Sequence, residues 1–145
     1  SIFDRIVSFA GTKITYKNVI DNLTILDYDY FFKVADWTIE ENYTALLQLF
    51  NEVLSNGFDG QHFLSGLAEH FRNLLVAKDA ATYSLMELGE ATRQRYISQA
   101  SAITPTFIIE ALKIVNQFEL DYRTANNKRL QVEICLLQLA GLKKK

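Results

Sequence analysis

Gly57-Phe58-Asp59-Gly60-Gln61-His62-Phe63-Leu64-Ser65-Gly66-Leu67-Ala68-Glu69-His70-Phe71-Arg72-Asn73-Leu74-Leu75 is the stretch around which the chain is organised. It opens as a helix stop followed at once by a helix start. Gly57 suits the left-handed position that closes a preceding helix, and Asp59 can cap the next one by accepting from a free backbone N–H. Phe63, Leu64, Leu67, Phe71, Leu74 and Leu75 then recur at three- and four-residue spacings, which makes one broad apolar helix face. The preceding stretch, 45–54, has a matching stripe in Leu46, Leu49, Phe50, Val53 and Leu54. Two such helices joined by a four-residue turn predict a helical hairpin on which the rest packs.

Working outward, the pattern stays helical. Residues 1–9 read as the end of a helix, and Thr15 caps a short one over 16–23. Asp27 or Asp29 starts an aromatic-rich helix running to about Trp37, whose rings are read as core packing. Thr38 with Glu40 and Glu41 is read as the start of the next helix, which reaches Asn56. The organising helix continues to about Lys78. A short, weak turn of helix over 82–88 is broken by Gly89. Residues 90–100 are polar with a thin apolar edge and belong on the surface. Thr104-Pro105 is the clearest helix start, a cap hydroxyl before proline at the first helical position. That helix runs to about Thr124 and is apolar on more than one face. The last, 128–140, is apolar nearly all round, so it is central or covered by a partner chain. Strand-type alternation is absent. The expected fold is all-α, an antiparallel helical bundle or collar of about five to seven helices.

Composition narrows the function classes. A length of 145 residues supports one domain with a real core. With 49% hydrophobic and 22% charged residues the chain is globular rather than disordered. A formal net charge of -2 gives no sign of nucleic acid as the main direct ligand, though local basic patches stay open. The single cysteine, Cys135, rules out an intramolecular disulfide, fits a reducing compartment and reads as a buried core residue. No run approaches the roughly 18 apolar residues of a membrane span, and no signal peptide is evident. The expected location is cytoplasmic. The chain starts at Ser1 inside an apolar-periodic stretch without a cap, so a piece of a longer protein is expected.

The search for chemistry finds little. No glycine-rich phosphate loop and no nucleophile elbow is present. His62, Glu69 and His70, with Asp59 nearby, are the one candidate constellation. Their spacing is not that of a metalloprotease helix, which sets two histidines four apart around a glutamate. Surface or inter-helix hydrogen bonding is the expected role. Arg129 and Glu133, four apart, can form a modest surface pair. Arg72 is either a snorkelling surface arginine or an anchor between helices or subunits. On the residues alone the chain is an interaction domain without a visible active site, and a free-standing α-helical adaptor remains an alternative.

The run Gly57-Phe58-Asp59-Gly60…Leu67-Ala68-Glu69-His70-Phe71-Arg72-Asn73-Leu74-Leu75 resembles the C-terminal region of the bacterial DNA polymerase III gamma/tau family, with Asn73 where that family commonly has aspartate. Arg129 to Leu137 is similar to the family's Arg-x-x-x-Glu-x-x-Leu-Leu ending. Ser1 to Arg5 looks like the tail of a lid-domain segment, with Arg5 in place of the usual glutamine. The resemblance implies that residues 1–24 end an AAA+ lid domain and residues 25–145 form the helical collar. It implies an oligomerisation role in the replicative clamp loader, with other gamma/tau copies, delta and delta prime as partners. The sliding clamp and primed DNA would be met only through the parent complex. ATP and magnesium are implied for the parent protein, an AAA+ ATPase, and no cofactor or catalytic activity for this chain. Phe71, Arg72, Arg129 and Glu133 are the implied interface residues.

Overall fold

The computed structural model describes residues 28–144; the helices expected over 1–9 and 16–23, and the lid–collar boundary near 24, lie outside the described residues. Six α-helices make up this part: α1 (Tyr28–Glu40), α2 (Tyr43–Ser55), α3 (Gly60–Val76), α4 (Glu90–Ala100), α5 (Pro105–Asp121) and α6 (Lys128–Gly141). Short 3-10 turns occupy Ala80–Leu85, Tyr122–Thr124 and Leu142–Lys144, and no strand occurs among the described residues. The all-α expectation holds.

The helix starts follow their caps. Gly57 takes φ 92°, and the Asp59 carboxylate accepts from the His62 backbone N–H at 2.8 Å, so stop and start lie where the sequence puts them. That N–H bond holds the Asp59 carboxyl below its usual range. Asp59→Ala should cost about 1 kcal/mol of stability, read as a lower denaturant midpoint at unchanged slope. Asn42, Thr104 and Asn127 cap α2, α5 and α6 in the same way, accepting from the N–H groups of Ala45, Phe107 and Leu130.

The expected start at Thr38–Glu41 needs correction. Thr38 is buried inside α1 and donates its hydroxyl to the Val34 carbonyl at 2.7 Å. The break comes at Glu41, in the left-handed region with φ 59°, and Asn42 begins α2. The weak turn expected over 82–88 lies slightly earlier, as the 3-10 segment 80–85, with Asp79 accepting from the Ala81 N–H.

α3 lies closest along α5 rather than along its hairpin neighbour α2. The two run antiparallel. Gln61 and Ser65 near the start of α3 donate to Glu119 near the end of α5. At the other end Lys78 donates to the carbonyls of Ala100, the last residue of α4, and of Ile103 in the connection to α5, at 2.7 and 2.6 Å. α2 meets α3 through side chains, the rings of Phe50 and Phe63 lying 5.2 Å apart. The aromatic start of the chain packs as expected: Phe31, Phe32, Val34 and Ala35 are buried. α4 lies on the surface and buries only Tyr96 and Ala100. α6 packs on α1, α2, α3 and α5, which gives it a central position.

Candidate functional site

α6 combines a central position with an apolar outer face. Its inward side buries Val132, Cys135, Leu136, Leu139 and Ala140. Burial pushes the Cys135 thiol up to about 12, which leaves it an inert core residue as expected. Leu130, Ile134 and Leu137 recur at i, i+4 and i+7 on the opposite side and stand 46%, 37% and 39% exposed. Eight large hydrophobic side chains are exposed among the described residues, and three of them form this single stripe.

The surroundings of the stripe are polar but balanced in charge. On the α2 side, Arg129 pairs with Glu133 at 3.2 Å and donates to Asn51 at 2.8 Å. The i,i+4 pair expected from the sequence forms; half-exposed, it contributes about 0.3–0.5 kcal/mol. On the α5 side Gln138, one turn beyond Ile134, borders a groove of about 400 Å³ floored by Ile114 and Phe118, with Lys113 and Asp121 at its rim. One base and one acid thus lie on the α2 side of the stripe, and one of each line the groove on its α5 side.

Of the four residues the sequence implicates, Arg129 and Glu133 flank this stripe. The other two do not. Phe71 is fully buried and packs edge-on to His70 at 6.1 Å, so it offers no surface to a partner; its place on the apolar face of α3 makes it core. Arg72 is exposed on α3 and donates to Asn73 Oδ1 at 2.9 Å and to the Leu85 carbonyl at 3.2 Å. It fastens the 3-10 segment to α3. Sequence reasoning missed Leu130, Ile134 and Leu137 as a face of their own. With apolar residues on nearly every side of the helix, periodicity could not say which of them point out.

A family model for domain III of the DNA polymerase III subunits gamma and tau matches residues 14–145. The chain belongs to this family. It is 25% identical over 143 residues to the DNA polymerase III subunit gamma/tau of Mycobacterium bovis and of Mycobacterium tuberculosis, over 96% of this chain and 25% of each relative. It is 19% identical over 139 residues to the DNA polymerase III subunit tau of Bacillus subtilis. The chain spans about a quarter of the length of the curated relatives it matches.

The histidines of this gamma/tau domain III do not form a common site. His62 is exposed at the start of α3 and bonds Asp59, its Nδ1 2.8 Å from Oδ1. Glu69 is exposed, whereas His70 is buried and bonds Gln99 of α4 through Nε2 at 2.7 Å. That is the inter-helix hydrogen bonding expected of it. Among the described residues no group of three or more His, Cys, Asp or Glu side chains could hold a metal ion. No helix there is long and apolar enough to cross a membrane.

Proposed function

We propose that this chain is the collar of a gamma/tau subunit, the part through which copies associate with one another and with the delta and delta prime subunits of the replicative clamp loader. The outer face of α6 carries this reading. A helix packed on four others keeps Leu130, Ile134 and Leu137 in water, and a neighbouring subunit that covers them recovers that burial. The charge-balanced rim suits another subunit of the same kind better than a polyanion.

In this role the chain contributes no chemistry. The parent protein hydrolyses ATP with magnesium in its AAA+ portion, in the cytoplasm, and so loads the sliding clamp on primed DNA. The collar holds the subunits in a ring while the ATPase modules move.

Light scattering over a concentration series tests the reading. The 145-residue chain should associate reversibly, and Ile134→Asp should weaken that association at least tenfold with helicity unchanged. A wild-type chain that stays monomeric both alone and with the other subunits would favour the free-standing adaptor instead.

A further inference from the structure

A buried polar cluster lies where α1, α3 and α4 meet. The Gln99 side-chain nitrogen donates to the Phe32 carbonyl and to Asp36 Oδ1, both at 2.8 Å. Both partners accept, so the Gln99 amide oxygen must face His70 and the His70 proton must sit on Nε2. His70 Nδ1 is buried with no hydrogen-bond partner among the described residues. Aromatic rings enclose the imidazole: Phe32 stands edge-on at 4.6 Å, with Tyr96 at 5.0 Å and Phe71 at 6.1 Å. One glutamine side chain therefore ties α4 to a backbone carbonyl of α1 and to a buried ring of α3.

We propose that His70, Gln99 and the Phe32 carbonyl form an acid-opened latch that holds α4 against α1 and α3. A second proton on His70 would have to go to Nδ1, which has no hydrogen-bond partner among the described residues, and a buried N–H without an acceptor is costly. The charged groups around the ring give no relief. From α4, Arg95 adds repulsion, and the Tyr96 phenol is itself kept protonated by burial. From α1, Asp36 is reached only through Gln99, and Asp29 is engaged by Arg95 at 2.7 Å. On α3 itself Glu69 is exposed, and Arg72 is engaged by Asn73 Oδ1 and the Leu85 carbonyl. α4 is the element free to yield, since it buries only two side chains and is tied elsewhere by surface contacts, Lys78 on the Ala100 carbonyl and Arg95 on Asp29 and the Phe32 ring.

The direction of the effect follows from burial, which lowers the His70 value from 6.5 to about 4. Above about pH 6.5 the ring is neutral with α4 docked or released, and the latch is at full strength. As pH falls towards 4, the released state takes up a proton that the docked state refuses, and docking is lost.

Amide exchange on the 145-residue chain, corrected for intrinsic rates at each pH, reads this directly. Between pH 7 and pH 5 the opening of residues 90–100 should rise about twentyfold, while residues 63–75 keep their protection. His70→Gln should abolish the rise. Loss of protection in α3 together with α4 overturns the latch in favour of global unfolding, and an unchanged α4 overturns it as well. Should His70→Gln fail to fold, ring NMR of the wild type decides. His70 must titrate in step with α4 opening, its signals told apart from those of His62, the one other histidine. A His70 titration out of step with α4 exchange sinks the proposal.

Discussion

Phe63→Ala should lower the unfolding free energy by about 3–5 kcal/mol. Phe63 is fully buried on α3 and is the ring through which three helices meet. Its centroid lies 5.8 Å from Phe31 of α1 and 5.2 Å from Phe50 of α2, tilted by 31° and 44°. Truncation removes the buried ring area and both ring pairs, each pair contributing about 0.5–1.5 kcal/mol beyond burial. It also leaves a cavity walled by helices fixed elsewhere: α2 is held on α6, where Arg129 bonds Asn51, and α3 is fixed on α5 through Glu119. A site whose walls cannot close retains the full cavity cost. Against a typical domain stability of about 5–15 kcal/mol, this should be the most damaging single truncation in the hairpin. Chemical denaturation followed by far-UV circular dichroism measures it. A loss below about 1 kcal/mol would mean that α2 can settle onto α3, and that the three-helix junction is less rigid than its geometry implies.

How much of this was legible in the sequence depends on whether a feature is local. Gly57, Asp59 and Thr104 act within one turn of themselves, and their helix boundaries were read correctly. The break at Glu41 is also local, but its signal was ambiguous. Acidic residues favour a helix start, whereas here Glu40 ends α1 and Glu41 takes the left-handed conformation more often left to glycine. Partner choice was not legible. Nothing in the 45–75 pattern says that α3 lies along α5 while α2 turns to α1 and α6, because that depends on side chains far apart in the chain. The candidate site divides the same way. Arg129 and Glu133 carry a four-residue spacing that can be read directly, and they pair. Leu130, Ile134 and Leu137 are lost in a helix apolar all round, and only the packing of its neighbours reveals which side stays in water. Phe71 is the opposite case: the resemblance implies it at an interface, whereas its own spacing places it on the core face, where it is buried.

Gly66→Ala should destabilise the domain by about 1–2 kcal/mol, against the helix propensity scale. Gly66 lies inside α3, where alanine is ordinarily favoured by about 1 kcal/mol. Here a Cβ would run into Phe31 Cζ, with Cε2 only 2.9 Å away. The ring cannot swing clear. Phe31 is buried in the core, beside Phe63 at 5.8 Å and His70 at 6.4 Å. α1 and α3 would have to separate, and overpacking of this kind outweighs the propensity gain. Gly66→Leu should reach the upper end of that penalty, about 3 kcal/mol. The contact assigned to the loss can be isolated by a double-mutant cycle. Phe31→Leu makes room at the point of collision, so Gly66→Ala placed on that background should be neutral or stabilising. Additive losses would show that the glycine acts through something other than the Phe31 ring. A stabilising Gly66→Ala in the wild-type background would show that α1 and α3 are not held as close as this packing requires.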